Sequence, residues 1–532
     1  MNTLLAFDYA TTGSDPIRDR PVEFACVRLD ANLNIIGNAT TMNCRPLPDH
    51  LPDPGACLFS GVTPQFCEQV GLPEMRFVNE VQRQLGSPGT ISFGYNSIAF
   101  DDEVTRFMFW RNLIDPYAHE WKNGCGRWDL IELVRATYVL RPEILEWPRD
   151  NTGNVTVGLE SLATANQLLH ESAHDTLSNV YATIELARLI RDRQPQLYEH
   201  MFSMRDKARA LEEMSTPHSP FVYISADATA TAAVRLMLPI GSHPTNRNEV
   251  IAWDLSKDPR QLLDLDAENI RLRLFTPHDQ RPENFDPMPL YAIAANKSPA
   301  VFMDPRVLSR ERAADLGIDM DAAIANVPIT LAVLETLDLP RLLQVVYARD
   351  PIECDAEDAL YEGFIGYHDR RALDELKAMD PSELAAIKPV FSDSRIDELF
   401  LRFKARHYPS LLSQRELDKW EEHRYRKLIT GYAGSRTVAM VRSSVVEWQR
   451  TFSESLEPVD PAKFAMLDDV LAYANDLAAE IDPYEAEAPT GLPSTHVENS
   501  GLPGPASVPI QHDLFGEQLA SPVEPQVRPR RR

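Results

Sequence analysis

The sequence predicts an α/β domain with a mixed sheet, then a small barrel-like β-rich domain, an α-helical domain and a disordered tail. Two observations predict this order. Short strand-like segments open the chain before helical and strand-like patterns alternate, and helical periodicity with charged faces dominates its last folded part. We expect the four parts to cover residues 1–195, 196–354, 355–483 and 484–532.

The elements of the first domain follow from hydrophobic periodicity and turn residues. In chain order, the predicted strands are 3–8, 22–29, 33–44 and 90–95, and the predicted helices are 77–85, 101–112, 159–169 and 176–192. Strands that come first and later alternate with helices are typical of a sheet that mixes antiparallel and parallel pairs.

The later parts differ in composition. Residues 220–300 contain short apolar segments broken by turns with proline, which predicts a small β-rich domain. Residues 355–481 have helical periodicity. From 484 onward the chain is rich in proline, glycine, serine and glutamate, and such a segment buries too little apolar area to offset the entropy of ordering.

Charge and cysteine content narrow the class of protein. The 532 residues carry a formal net charge of −26, so a nucleic-acid site would have to be a local basic channel, although the charge could equally serve solubility alone. The 6 cysteines form no C-x-x-C pair, which argues against a zinc site and a disulfide framework. We expect a soluble, monomeric, cytoplasmic protein without a membrane span.

Three segments carry chemistry at predicted strand ends or helix starts: Asp8-Tyr9-Ala10, Gly94 to Glu103, and His174 to Asn179. Acids at strand ends can meet at one sheet edge and hold divalent cations, while a histidine serves as general base for an attacking water. A two-metal exonuclease would read Asp-x-Glu at the first segment, where this chain has Ala10.

The sequence resembles bacterial exonuclease I, in the DEDDh group of the ribonuclease-H-like exonucleases, from about residue 4 to residue 480. The matching residues include Asp8-Tyr9 with Thr11 and Gly13, Asp19-Arg20-Pro21, Gly94-Tyr95-Asn96, Phe100-Asp101-Asp102-Glu103, Arg127-Trp128-Asp129-Leu130, Ala173-His174-Asp175, and Asn296-Lys297 with Pro299. The resemblance implies a Mg²⁺-dependent 3′→5′ exodeoxyribonuclease on single-stranded DNA, with three domains forming a C-shaped clasp.

The same resemblance assigns roles and shows departures. It implies that Asp8 and Asp101 are metal ligands and that His174 is the general base. Family members place Glu at Ala10, Asp at Asn179 and a phosphate-gripping basic residue at Gly158.

Two hypotheses follow from these departures. In the favoured one, the chain is a catalytically dead or severely impaired exonuclease that still binds single-stranded DNA 3′ ends or partner proteins. In the alternative, it is an active Mg²⁺-dependent enzyme with reorganised ligands. Asp175 could substitute as a ligand but is more typical of a helix cap, and Asp102 and Glu103 are more typical of solvated or helix-starting acids.

Further residues match the family's DNA and partner surfaces. Candidate groove residues are Arg106, Tyr117, Trp121 and Arg135, since aromatic stacking and cationic contacts bind single strands, although core packing is the alternative. Arg141 resembles the contact to the acidic tail of single-stranded-DNA-binding protein. In the tail, Gln511 to Phe515, with Leu514 and Phe515 as anchors, resembles a motif that docks on the sliding clamp, and chance recurrence is equally open.

Overall fold

A five-stranded mixed sheet organises the N-terminal part of the molecule. The computed structural model describes residues 2–168, 176–226, 233–277, 280–349, 354–377, 379, 387, 389–455 and 458–481. The strands are β1 (Thr3–Thr11), β2 (Pro21–Leu29), β3 (Thr40–Asn43), β4 (Thr90–Gly94) and β5 (Gly126–Asp129), in the order β3-β2-β1-β4-β5. The pairs β1–β2 and β2–β3 are antiparallel, whereas β1–β4 and β4–β5 are parallel. The predicted mixed sheet is confirmed.

Among the described residues of this part, the four predicted helices are present with small shifts of their ends, and six further helices were not predicted. In chain order, the helices are α1 (Pro54–Ser60), α2 (Pro64–Val70), α3 (Glu74–Leu85), α4 (Asp101–Arg111), α5 (Ala118–Trp121), α6 (Leu130–Leu140), α7 (Leu159–Ala165), α8 (Thr176–Arg193), α9 (Pro195–Ser203) and α10 (Lys207–Met214).

The third strand is much shorter than the predicted strand at 33–44. Leu33 has a left-handed backbone (φ 62°), and the Asp30 carboxylate accepts hydrogen bonds from the backbone N–H groups of Asn32 and Asn34. This Asx-type turn competes with the sheet ladder, so regular pairing begins only at Thr40.

The two faces of β1 pack against different helices. Leu4 and Ala6 belong to the core on the side of α8, whereas Leu5, Phe7 and Tyr9 pack with residues of α3 and α4. Because side chains alternate along a strand, Asp8 and Ala10 lie on the α8 side.

A second five-stranded sheet, entirely antiparallel, follows. Its strands are β6 (Phe221–Ser225), β7 (Ala233–Ser242), β8 (Glu249–Asp254), β9 (Leu290–Ala294) and β10 (Ala300–Phe302), in the order β10-β6-β7-β8-β9. The same part also contains helices that the sequence analysis did not predict: α11 (Gln261–Asp264), α12 (Ala267–Phe275), α13 (Arg310–Asp315), α14 (Met320–Glu335) and α15 (Leu339–Val346). Aspartate caps at Asp266, Asp319 and Asp338 accept from backbone N–H groups and start α12, α14 and α15.

The last described part is helical, as predicted. It contains α16 (Tyr367–Lys377), α17 (Ser394–His407), α18 (Gln414–Tyr425), α19 (Val438–Glu454) and α20 (Pro461–Ile481). Residues of α19 and α20 share a hydrophobic core with Leu51 and Cys57 of the first part. In the described part of the chain no single helix is long and apolar enough to cross a membrane; α14 and α15 pass by length and composition only as a pair bent by 90°.

Buried ion pairs join the helical part to loops of the first part of the chain. The Arg406 guanidinium bonds Asp49 (2.5 Å) and also Glu357, and Glu357 accepts from Arg20 (2.6 Å) and Lys427 (3.2 Å). Burial alone would raise the pKa of Asp49, but Arg406 and Lys427 hold it well below its usual value. We call these five residues the interface ion cluster.

Candidate active site

Asp8 lies near the end of β1 with its side chain half-buried beneath α8. Its Oδ2 accepts a hydrogen bond from Nδ2 of Asn179, in the first turn of α8, at 3.0 Å. Removal from water raises the pKa of Asp8 to about 6, against the lowering effect of the Asn179 hydrogen bond. The site therefore favours a proton or another cation on Asp8.

Asp101 brings the second carboxylate to the same place. It lies in the first turn of α4, is 3% exposed, and its Oδ1 accepts the backbone N–H of Tyr9 at 3.1 Å. Burial, followed by the charge of Asp8, raises the pKa of Asp101 well above its usual value. A cation bound between these two carboxyl groups would stabilise their charged forms and lower both pKa values.

The positions that depart from the family pattern lack oxygen ligands or cationic groups. Ala10 offers no donor atom on the face that carries Asp8. Asn179 directs an N–H donor, not an oxygen, at Asp8. Gly158, the N-cap residue of α7, has open space for a side chain, since an added Cβ would come no closer than 3.5 Å to Thr156 Oγ1.

A further carboxylate stands beside this group, which the sequence analysis missed. Glu23 on β2 pairs directly with Ala10 across the sheet, is half-buried, and its Oε2 accepts the Thr176 hydroxyl at 2.5 Å. Its charge contributes to the raised pKa of Asp8. No short motif marks Glu23, because its place depends on the register between two strands.

The donors suit one divalent cation better than two. A cation between Asp8 and Asp101 would offset the burial and repulsion that raise their pKa values, so these residues fit the divalent metal that the resemblance implies. A second cation would require carboxylates at residues 10 and 179, where this chain has alanine and an amide.

The neighbouring acids of α4 are occupied by arginines. Asp102 bonds Arg127 (3.1 Å), and Glu103 bonds Arg106 (2.7 Å). Asp102 is buried, which raises its pKa to about 7 despite Arg127. Both acids lie in the first turn of α4, as one of the two expectations had it. Asp102 is buried and is therefore not a solvated acid, which was the other expectation.

The candidate groove residues differ in exposure. Trp121 is 65% exposed, whereas Arg106 is 6% exposed, bonds Glu103, Glu120 and Tyr361, and lies 5.3 Å from the Tyr117 ring centre. Arg135 is likewise buried and bonds Glu132 at 2.6 Å. Of these four, Trp121 alone presents most of its side chain to a ligand, and their roles in DNA binding stay predictions.

Several predicted residues cannot be placed. His174 and Asp175, and the tail residues Gln511, Leu514 and Phe515, lie outside the described residues. Arg141 is half-buried at the end of α6 and donates to the Leu140 carbonyl at 2.5 Å. Its partner role stays a prediction.

Another cluster resembles a metal site in composition. Among the residues the structure describes, Asp49, Glu357 and His423 form the single group of three whose ligand atoms lie within 4.8 Å of one another. Arg406 and Lys427 of the interface ion cluster already neutralise these acids. The group is therefore an ion-pair network between domains.

Three protein-family models match the chain: "Exonuclease" at residues 5–186, "Exonuclease I SH3-like domain" at 205–349 and "Exonuclease I C-terminal domain" at 354–477. Exodeoxyribonuclease I of Escherichia coli is 36% identical over 441 residues, covering 81% of this chain and 92% of that protein. Two solved structures each cover 90% of this chain and 100% of theirs. The zinc-ion-bound form of the E. coli ExoI–ssDNA complex has TM-score 0.79 and 33% identity, and SSB/Exonuclease I with the inhibitor CFAM has TM-score 0.80 and 32% identity.

Proposed function

The chain belongs to the exonuclease I family, and from that premise we propose that it binds 3′ ends of single-stranded DNA but hydrolyses them slowly or not at all. DNA binding is supported by the similarity to an exonuclease I solved with single-stranded DNA over 90% of this chain. The proposal then depends on what the altered residues do to hydrolysis.

The contact between Asn179 and Asp8 carries the argument against normal turnover. An amide N–H donor stands 3.0 Å from the Asp8 oxygen, where a carboxylate would otherwise add negative charge for a cation. At an effective dielectric of about 20, one unit-charge pair at about 4 Å is worth roughly 4 kcal/mol. Losing such partners at residues 10 and 179 should lower the occupancy of a site for two metal ions by several orders of magnitude.

When bound, a divalent metal, which we take to be Mg²⁺, would supply charge for the scissile phosphate and activate water. Asp8 and Asp101 would hold it. His174 would accept the proton of the attacking water. Gly158 removes a cationic contact to the substrate phosphate, so the substrate would also be held less firmly.

A second candidate function is an active Mg²⁺-dependent 3′→5′ exonuclease that releases 5′-mononucleotides. The position of Glu23 opposite Ala10 favours it, because a carboxylate is still present on this face of the sheet.

Nucleotide release distinguishes the two candidates. The protein and the variant Ala10→Glu/Asn179→Asp/Gly158→Arg are compared on 5′-labelled single-stranded DNA with Mg²⁺ or Mn²⁺. We expect the variant to be faster by orders of magnitude. Equal and rapid release by both proteins would contradict impaired hydrolysis and favour the active enzyme.

Partner binding and location complete the proposal. Similarity to a structure of SSB with exonuclease I supports binding of single-stranded-DNA-binding protein, with Arg141 as a contact for its acidic tail. Docking of Gln511 to Phe515 on the sliding clamp, a monomeric state and a cytoplasmic location are part of the same proposal.

A further inference from the structure

Glu23 occupies the position across the sheet from the missing ligand. In the antiparallel pair of β1 and β2, Ala10 is the direct partner of Glu23, and Asp8 is the partner of Ala25. Directly opposite residues place their Cβ atoms about 4.5–5.5 Å apart on the same face. A side chain at residue 23 therefore starts beside the place from which a side chain at residue 10 would start.

The same face brings Glu23 towards Asp8. Core residues Leu4 and Ala6 of β1, and their partners on β2, pack under α8 on this face. The first turn of α8 contacts both acids, since Asn179 bonds Asp8 and Thr176 bonds Glu23. Glu23 thus belongs to the group of polar residues at this sheet edge and not to the opposite face.

The other acids near this site are less suited to replace a carboxylate at residue 10. Asp102 and Glu103 are engaged by Arg127 and Arg106. Glu23 accepts a hydrogen bond from the hydroxyl of Thr176, which is a neutral donor.

We propose that Glu23 supplies from β2 the carboxylate that β1 lacks at Ala10, and that Asp8, Glu23 and Asp101 together hold one divalent cation. The three carboxylates do not yet have their oxygens within 4.8 Å of one another. Binding requires Glu23 to turn from Thr176 towards Asp8, which its rotatable side chain permits. The proposal concerns the same site as the proposed function and rests on it for the metal.

Mn²⁺ binding to the full-length protein, measured by titration calorimetry and electron paramagnetic resonance without DNA, tests this inference. The proteins are the wild type, Glu23→Gln, Ala10→Glu/Glu23→Gln, and the control Glu268→Gln, which removes an exposed acid of α12. Glu23→Gln retains an oxygen acceptor for Thr176, so a loss of Mn²⁺ affinity reports the charge and not the hydrogen bond.

We expect Glu23→Gln to weaken Mn²⁺ binding at least about tenfold, since a fraction of one close charge attraction exceeds the free energy of a tenfold change. Ala10→Glu/Glu23→Gln, which returns the carboxylate to β1, should recover wild-type affinity, and Glu268→Gln should leave it unchanged. Absence of Mn²⁺ binding by the wild type, unchanged affinity in Glu23→Gln, or no recovery in the double variant would each overturn the proposal.

Binding of a 3′ single-stranded overhang in EDTA separates this inference from the proposed function. If the overhang binds but Glu23→Gln has no effect on Mn²⁺, the DNA function stands and the role of Glu23 falls. If Mn²⁺ binding depends on Glu23 but the overhang does not bind, the proposed DNA function falls and the metal site stands.

Discussion

The Asn179 side chain donates a hydrogen bond to the Asp8 carboxylate, with Nδ2 3.0 Å from Oδ2. A neutral amide thereby stabilises a charge that a metal would otherwise neutralise. Asn179, where the family has a carboxylate, should therefore make the metal-free protein more stable.

Asn179→Asp should destabilise the metal-free protein. The change replaces an N–H donor by a second carboxylate at about hydrogen-bond distance from Asp8, so like charges repel. We expect a lower melting temperature in EDTA than for the wild type, and a larger gain on adding Mn²⁺. Thermal melting in both buffers measures this. Equal melting temperatures in EDTA would show that the Asp8 contact is not important for stability.

The raised pKa of Asp8 predicts how stability changes with pH. Its folded pKa of about 6 exceeds the ordinary aspartate value of 3.8, so between these pH values the folded state binds more protons than the unfolded state. This group's contribution to stability therefore falls as the pH rises from about 4 to about 6. In EDTA, Asp8→Asn should be more stable than the wild type at pH 7, and the difference should shrink towards pH 4.5. Urea unfolding at several pH values measures it, and a difference independent of pH would contradict the assignment.

Trp121→Ala should weaken binding of single-stranded DNA. The indole is 65% exposed, and loss of one stacked base costs about 1–3 kcal/mol. Because stacking involves no phosphate, the salt dependence of binding should not change. Fluorescence anisotropy with a labelled oligonucleotide at several salt concentrations measures both quantities. Phe66→Ala, which removes an exposed aromatic residue of α2, is the control, and equal affinities of the two variants would exclude stacking on Trp121.

Arg406→Met should strongly destabilise the protein. Asp49 and Glu357 would lose a buried partner, and breaking such pairs costs about 3–5 kcal/mol. The loss should show in urea unfolding as an early transition. Arg450→Met removes an exposed arginine of α19 and should leave unfolding nearly unchanged. A small effect of Arg406→Met would mean that water reaches the two acids.

Sequence periodicity predicted the mixed sheet and most helices around the site, because the apolar residues of β1 and α8 repeat with the periods of their elements. Family motifs identified Asp8, Asp101 and Asn179, and the structure brings these three together. Glu23 was missed because a one-residue slip of β2 would turn it to the other face, and sequence alone does not fix that register.

Exposure of charged residues was harder to predict than secondary structure. Arg106 was a candidate groove residue with core packing as the alternative, and in the structure Glu103 and Glu120 enclose its guanidinium. Its burial depends on partners that lie on α4 and α5 and only meet once both helices have packed.

The interface ion cluster affects whether the N-terminal part of the chain can be produced as a separate fragment. Asp49 and Arg20 belong to the first part of the chain, but their buried partners Arg406 and Glu357 come from the last. An N-terminal fragment ending near residue 195 would keep these charges without their counterions. We therefore expect such a fragment to be less stable than the whole chain, because two of its buried charges are neutralised by residues more than three hundred positions away.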